Sequence, residues 1–264
     1  MGDIEGARTF AVAGASYDAF MGRYSSCLAE TFADAAGVAA GSTAVDVGCG
    51  PGALTGELVA RLGPTSVLAC DPSPSFCREC AERFPGVTVK EGRAEAIPFE
   101  THTADHALAQ LVLHFVSDPD AAAREMVRVV RPGGSVAACV WDFDRGMEML
   151  RAFWDAALRI DPDAPDEARV LRFGRPGEIA ALFASARLQH IEESTLQITS
   201  TYASFDELWS GFLAGVGPAG AYCSSLADAE REALRDTLFA GLGSPSGSFT
   251  LAAVARCAVG RVPG

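Results

Sequence analysis

Three glycines at alternate positions, Gly48, Gly50 and Gly52, follow directly on a short apolar segment that contains Asp46. Glycine permits positive φ values and lets a ligand approach the main chain closely. A helix-forming sequence begins at Ala53, and the free N–H groups of a helix start attract polar groups of a ligand. The sequence therefore predicts a strand, a tight turn and a helix that bind a ligand at the carboxyl edge of a sheet.

A second acidic residue, Asp71, ends the next apolar segment. An ionised carboxylate only accepts hydrogen bonds, so it suits a ligand that presents hydroxyl groups. The same arrangement also satisfies the dinucleotide pattern, with Gly48, Gly50 and Ala53 at its three small positions. On this pattern alone NAD(H) is an alternative ligand.

Apolar segments alternate with helical patterns around this turn, which predicts an α/β fold with a mostly parallel sheet and helices on both faces. The predicted strands are 44–47, 66–70, 87–91, 104–111, 135–141, 190–199 and 248–259. The predicted helices are 14–36, 53–62, one through Phe84, 119–130, 146–160, 175–186, one opened by a capping box at 204–207, and 226–239.

We expect three parts in the chain: an N-terminal helical cap at 1–42, a binding core at 43–199 and 247–264, and a helical insertion at 200–246. The insertion leaves one sheet edge and returns to it, which predicts a lid over the binding site at the carboxyl edge of the sheet. Its Gly/Pro-rich joints at 215–220 and 241–247 have the composition of hinges.

The composition limits the possible partners. The 264 residues are 49% hydrophobic, enough for one large core, and the net charge of −13 argues against a nucleic acid. No apolar run approaches the roughly 20 residues that span a bilayer, and the start lacks a signal-peptide pattern. We expect a cytoplasmic monomer or homodimer. Its eight cysteines should be reduced, and no metal is expected, because Cys77 and Cys80 have no second ligand pair.

The string VDVGCGPGAL at 45–54 resembles the cofactor motif of the class I S-adenosylmethionine-dependent methyltransferases. Four further blocks follow in the order of that family: CDPS at 70–73, GRAEAIPF at 92–99, DHALAQLVLHFVSDP at 105–119 and VRVVRPGGSVAACVWD at 127–142. The rest of the chain is similar to a bacterial branch that methylates small molecules.

This resemblance implies a Rossmann-like, doubly wound sheet of seven strands, mostly parallel with the last strand antiparallel, and S-adenosylmethionine as cofactor. Asp71 would accept both ribose hydroxyls, the turn at 48–50 would face the methionine portion, and Pro72 and Ser73 would flank the adenine. The predicted cofactor-binding residues are Asp46, Gly48, Cys49, Gly50, Gly52, Asp71, Pro72, Ser73, Ala94, Glu95, Gln110, Tyr17 and Arg23.

Adenine recognition departs from the usual pattern of the family. Arg93 stands where relatives commonly carry an aspartate, and a guanidinium has no acceptor for the adenine amine. The N–H of Ala94 would still donate to the ring, and Glu95 or a backbone carbonyl would accept from the amine.

Two residues are candidates for the methionine end of the cofactor. The planar fork of Arg23 matches a carboxylate and lies in an otherwise apolar segment with Tyr17. Gln110, at the end of the fourth strand, would bind the cofactor's amino group or the acceptor.

The predicted activity is methyl transfer to an O, N or C atom of a small organic acceptor. Alignment supplies most of the acceleration in an in-line displacement, so no protein base is required, and His114 is the candidate if one is used. An NAD-dependent oxidoreductase, an aminopropyltransferase and a non-catalytic S-adenosylmethionine-binding module are the alternatives. The predicted acceptor pocket comprises His114, Trp141, Asp142, Tyr202, Trp209 and Tyr222.

Overall fold

The computed structural model describes residues 21–264, which contain a seven-stranded sheet of order β3-β2-β1-β4-β5-β7-β6. Strands β1 to β5 are parallel, and β7 is antiparallel to both β5 and β6. The predicted doubly wound sheet with an antiparallel last strand is therefore confirmed. The strands are β1 (Ala44–Val47), β2 (Val67–Asp71), β3 (Thr88–Glu91), β4 (Ala104–Gln110), β5 (Val130–Trp141), β6 (Gln189–Tyr202) and β7 (Phe249–Arg261).

The helices of the described part agree with the predicted ones to within a few residues, apart from two short helices that were not predicted. One is Glu167–Val170, whose four residues are too few to show a helical period, and the other is Gly217–Ser225. The described α-helices are α1 (Arg23–Ala35), α2 (Ala53–Leu62), α3 (Pro74–Arg83), α4 (Pro119–Val129), α5 (Glu148–Ile160), α6 (Glu167–Val170), α7 (Glu178–Ser185), α8 (Phe205–Leu213), α9 (Gly217–Ser225) and α10 (Asp228–Gly241).

Helices cover both faces of the sheet, which is why its central strands are apolar at nearly every position. Ala137, Cys139 and Trp141 of β5 pack in the same core as α1 and α5, whereas the intervening residues pack in the core that contains α4 and α7. Side chains that alternate across a strand account for this division. The helix layers on the two faces hold the sheet in place, and the carboxyl ends of its parallel strands β1, β2 and β4 lie at the same edge.

The insertion at 200–246 packs on α5. The ring of Phe212 in α8 stacks on Phe153 with the ring centroids 4.3 Å apart, and α10 buries Leu234 and Leu238. The Gly/Pro-rich segment 215–220, expected to be a turn between helices, instead enters a helix: α9 begins at Gly217 with a proline in its first turn, and Val216 is fully buried.

Three further features bear on the predictions made from composition. No helix among residues 21–264 is long and apolar enough to cross a membrane. All eight cysteines are free thiols, and only Cys27 is exposed. Within the same described residues, no three His, Cys, Asp or Glu side chains are grouped as metal ligands.

Candidate functional site

The glycine turn links the end of β1 to the start of α2. The N–H groups of Gly48 and Cys49 both donate to the carbonyl of Cys70 at 2.8 and 3.0 Å, which ties the turn to β2. An added Cβ would lie 2.5 Å from Val112 at Gly48, but it would meet nothing within 4 Å at Gly50. The turn is therefore closed by packing at its first glycine and open to a ligand at the second.

A cavity of about 360 Å³ lies where β1, β2 and β4 end, and we call it the first cavity. This volume is in the range of small-molecule sites. Phe76 and Phe115, which the sequence did not single out, also line it. The structure brings together on its wall eight of the predicted cofactor residues: Gly48, Gly50, Asp71, Pro72, Ser73, Ala94, Glu95 and Gln110.

The carboxylate of Asp71 is held by two backbone donors on the wall of this cavity. The N–H of Gly50 donates to its Oδ2 at 3.0 Å, and the N–H of Ser73 donates to its Oδ1 at 2.8 Å. Burial raises the pKa of Asp71, although both hydrogen bonds act in the opposite direction. A carboxylate has about four acceptor positions, so about two are left for the hydroxyl groups of a ligand.

The loop with Arg93 and Glu95 forms another part of the wall. Oε1 of Glu95 accepts from the N–H and hydroxyl of Ser117, at 3.2 and 2.8 Å, and from the N–H of Asp118 at 3.4 Å. Burial opposes ionisation, but these bonds outweigh it and lower the pKa of Glu95. Its Oε2 lies 3.7 Å from Nε of Arg93. One carboxylate oxygen is therefore used to hold the loop.

Gln110 ends β4 and contributes an amide to the first cavity. Its Nε2 donates to the carbonyl of Ser25 in α1 at 2.9 Å. Its buried Oε1 has no hydrogen-bond partner among the residues that the structure describes. Buried acceptors rarely remain unsatisfied, so this oxygen is suited to a donor group of a ligand.

Four of the predicted cofactor residues are not on the cavity wall, and a fifth, Tyr17, lies outside the described residues. Asp46 faces α2 instead: its Oδ2 accepts from the hydroxyl of Thr55 at 2.6 Å, and burial raises its pKa to about 7. Cys49 is buried against Cys80. At Gly52 an added Cβ would lie 2.5 Å from the ring of Phe84, so close packing requires this glycine.

The interpretation of Arg23 as a carboxylate ligand needs correction. Its guanidinium donates to the carbonyl of Thr201 at 3.1 Å, forms a salt bridge with Glu207, and lies 4.3 Å from the ring centroid of Tyr202. These contacts use the planar fork that the sequence suggested for the cofactor. Arg23 therefore fastens α1 to β6 and α8.

A smaller cavity of about 40 Å³ adjoins the first one, with Leu111 and Phe115 in both walls, and we call it the second cavity. Its wall is mostly apolar and includes the start of α9 at 216–219. Leu111 has a φ of 61°, an uncommon conformation for a bulky residue that is often found at functional sites.

Two residues of the predicted acceptor pocket, His114 and Trp141, line the second cavity. Burial lowers the pKa of His114 to about 3, so its ring is neutral at physiological pH. Neither Nδ1 of His114 nor Nε1 of Trp141 has a hydrogen-bond partner within residues 21–264. Both ring nitrogens are therefore buried without a described partner on residues that line the cavity.

The other four residues of that predicted pocket are placed elsewhere. Asp142 pairs with Arg256 at 2.6 Å. The hydroxyl of Tyr202 donates to that of Tyr24 at 3.1 Å. The two remaining residues belong to the packing of the insertion: Trp209 lies beside Phe212, and Tyr222 lies beside Trp154.

Glu167, the first residue of α6, lines the second cavity and was missed by the sequence analysis. It is only 4% exposed, and Nε1 of Trp154 donates to its Oε2 at 2.8 Å. Burial raises its pKa to about 7. No local signal distinguishes it, because it follows Asp163 and Asp166 in a polar stretch that looks solvent-exposed.

Comparison with known proteins shows that part of this chain is similar to methyltransferases. Residues 45–138 match the family model described as a methyltransferase domain. A chloroplastic 2-methyl-6-phytyl-1,4-hydroquinone methyltransferase of Oryza sativa subsp. japonica is 38% identical over 98 residues, 36% of this chain and 28% of that protein. A probable phthiotriol/phenolphthiotriol dimycocerosates methyltransferase of Mycobacterium ulcerans is 34% identical over 120 residues, 45% of each chain. The match thus spans less than half the length of these relatives.

Solved structures resemble almost the whole chain in fold. A putative methyltransferase of Bacillus halodurans superposes with a TM-score of 0.58 at 12% identity, over 89% of this chain and 99% of its own. An S-adenosylmethionine-dependent methyltransferase of Thermotoga maritima superposes with a TM-score of 0.54 at 16% identity, over 94% of both chains.

The fold and the cavity at its carboxyl edge define a Rossmann-like α/β protein that binds a nucleotide-type cofactor. With the match at 45–138, residues of this core form a methyltransferase domain, and the fold around them is that of the class I S-adenosylmethionine-dependent methyltransferases. The predicted family and cofactor are therefore confirmed.

Proposed function

We propose that this protein transfers the methyl group of S-adenosylmethionine to a small organic acceptor. The observation that carries the proposal is the adjacency of two cavities of different chemistry. The first has the glycine turn and Asp71, whereas the second is apolar and shares Leu111 and Phe115 with it. A site that combines apolar walls with a carboxylate and amide groups, next to an almost wholly apolar one, is suited to a nucleoside cofactor beside a small acceptor.

The residues of the first cavity fit the cofactor. Asp71 would accept from the ribose hydroxyls, the orphaned Oε1 of Gln110 would accept from the amino group, and the open side of Gly50 would face the methionine portion. When bound, S-adenosylmethionine supplies a methyl group on a sulfonium that a nucleophile displaces. The residues of this chain would bind and orient the two reactants.

The walls of the second cavity would exclude water and align the acceptor. Alignment of this kind contributes about 7–11 kcal/mol in well-oriented reactions. His114 is a weak base, because its pKa is near 3, so it would orient the acceptor rather than remove a proton from a hydroxyl group. The acceptor atom itself would then be nucleophilic without a strong protein base.

Calorimetry tests the cofactor first: S-adenosylmethionine and S-adenosylhomocysteine should bind and NAD(H) should not. Tighter binding of NAD(H) would favour an oxidoreductase. A screen of small metabolites for uptake of a labelled methyl group then tests the activity. Cofactor binding without uptake by any metabolite would favour the non-catalytic binding module.

The remaining expectations stay predictions. With a net charge of −13, we infer that the acceptor is not a nucleic acid. A cytoplasmic location, a bacterial origin and a monomeric or homodimeric state are proposed with it.

A further inference from the structure

We infer that Glu167 binds the methyl acceptor and that this acceptor is a small amine, which presents its nitrogen to the carboxyl group of Glu167. The inference rests on the proposed function, for which it names the substrate class.

The start of α6 turns Glu167 inward. Its neighbour Asp166 caps the helix by accepting from the N–H of Ala168 at 3.0 Å. Both terminal nitrogens of Arg151 donate to the carboxylate of Asp166, at 3.2 and 3.1 Å. With Asp166 fixed by α5 in this way, the side chain of Glu167 forms part of the wall of the second cavity.

The hydrogen bonds of Glu167 leave one oxygen for a ligand. Nε1 of Trp154 donates to Oε2 at 2.8 Å, and no described group donates to Oε1. The side chain is almost completely shielded from solvent. The second oxygen of this buried side chain lies on a cavity wall, so it can accept from a donor that a ligand brings.

Glu167 also has no salt bridge with a cationic side chain among residues 21–264. The described lining of the second cavity contains no lysine or arginine, and the ring of His114 is neutral. The charge of Arg151 is shared between Asp166 and Asp155, the latter at 2.9 Å.

Burial and the charge of Asp166 raise the pKa of Glu167 to about 7, against the opposing effects of the Trp154 hydrogen bond and of Arg151. A cation brought by the ligand would supply the missing partner. Before methyl transfer, the ammonium group would pass one proton to the carboxylate of Glu167, which frees the nitrogen lone pair that displaces the sulfonium.

The rest of the wall selects the same chemistry. Phe115, Trp141 and Phe143 surround the cavity, and aromatic faces attract cations. An anionic acceptor would meet a carboxylate with no countercharge, and an alcohol would gain a hydrogen bond but no ion pair. The volume of about 40 Å³ admits only a small headgroup. A small amine with an apolar body therefore satisfies the cavity best.

Matched ligand pairs test the inference by binding rather than turnover. Calorimetry in saturating S-adenosylhomocysteine would compare methylamine with methanol, and ethylamine with ethanol. Each amine should bind at least tenfold more tightly than its alcohol. Glu167→Gln should abolish that difference, because the amide keeps the shape and the acceptor for Trp154 but not the charge. Glu232→Gln, an exposed glutamate of α10, should preserve it.

The pH dependence of the unsubstituted protein provides a second test. A protonated Glu167 cannot pair with an ammonium group, so the affinity for each amine should fall about tenfold between pH 8 and pH 6, as expected for a group of pKa near 7. The affinity for each alcohol should stay the same between these pH values. This comparison also decides the matter if Glu167→Gln fails to fold.

Equal affinities for amines and alcohols would overturn the inference. An unchanged preference in a folded Glu167→Gln variant, or no amine binding at millimolar concentration, would overturn it as well. All three results leave the proposed function standing, since S-adenosylhomocysteine would still bind. Failure of S-adenosylhomocysteine to bind the unsubstituted protein would contradict the proposed function itself.

Discussion

The amide of Gly50 donates to Oδ2 of Asp71 over 3.0 Å and so joins the glycine turn after β1 to the end of β2. A second bond, from the amide of Ser73, holds the other carboxylate oxygen. The strands that carry these groups are parallel neighbours, so both end at the same edge of the sheet. The carboxylate is therefore positioned by the backbone before a ligand enters.

Asp71→Ala should weaken S-adenosylmethionine binding at least tenfold. The variant loses two acceptors for ribose hydroxyls, and hydrogen bonds to charged groups contribute about 1.5–3 kcal/mol each. Calorimetry measures the dissociation constant. Glu91→Gln is the matched control, because Glu91 is the register partner of Asp71 on β3 but lies outside the cavity wall. An unchanged dissociation constant for Asp71→Ala would remove this residue from the site.

Glu95→Ala should lower both the melting temperature and the affinity for S-adenosylmethionine. The alanine leaves the N–H groups of Ser117 and Asp118 without their acceptor, so the loop that lines the first cavity loosens. Glu95→Gln should have a smaller effect, because an amide oxygen still accepts. Glu100→Gln, an exposed residue at the end of the same loop, is the control. If both Glu95 variants bind S-adenosylmethionine as tightly as the unsubstituted protein does, Glu95 is not the acceptor for the adenine amine, and a backbone carbonyl or water takes that place.

The sheet and most of the first cavity could be predicted because their signals are local. Alternating apolar segments and glycine spacing give the strands and the turn, and parallel strands then bring Asp71 and Gln110 to one edge. Contacts between distant segments left no such signal. Arg23 has the fork expected of a carboxylate ligand, but its partner Glu207 lies 184 residues away in the chain.

Burial was the other property that the sequence did not show. Glu167 stands among acids that resemble a solvated loop, and only the packing of α6 against Trp154 turns it inward. Tyr202 and Tyr222 are of a residue type that often lines pockets, yet both pack between helices and strands. Aromatic residues serve both purposes, so their roles depend on packing that one sequence does not specify.

Thr55→Val should destabilise the protein more at pH 8 than at pH 5. The hydroxyl of Thr55 donates to the buried carboxyl of Asp46, whose pKa burial raises to about 7. At pH 8 the variant loses a bond to a charged group, about 1.5–3 kcal/mol, and at pH 5 a bond to a neutral acid, about 1 kcal/mol. Urea unfolding at both pH values measures the loss.

The sign follows from proton binding. The folded protein holds the proton of Asp46 more tightly than the unfolded chain does, because the pKa of an aspartate in an unfolded chain is near 4. The contribution of Asp46 to the free energy of unfolding therefore falls as the pH rises from about 4 to about 7. Thr31→Val is the control, since Thr31 donates to the carbonyl of Leu28 and does not sense a titrating group. Equal losses of stability for Thr55→Val at both pH values would mean that Asp46 does not titrate between them.

Proteolysis should cut the chain at 241–247 rather than at 215–220, and ligands should slow that cut if the insertion is a lid. Gly243, Ser244 and Ser246 are exposed, whereas Val216 and Ala219 are buried in the wall of the second cavity. A ligand in that cavity would contact 216–219 directly, and closure would transmit this contact through α9 and α10 to the joint.

Proteinase K digestion followed by mass spectrometry of the fragments tests the lid. S-adenosylhomocysteine together with an acceptor identified by the methyl-uptake screen should protect 241–247, and S-adenosylhomocysteine alone should protect it less, because it occupies only the first cavity. Casein digestion in the same ligands controls for inhibition of the protease. Cleavage at 241–247 that ignores both ligands would mean that the insertion only covers α5 and the sheet, and first cleavage at 215–220 would contradict the burial of Val216.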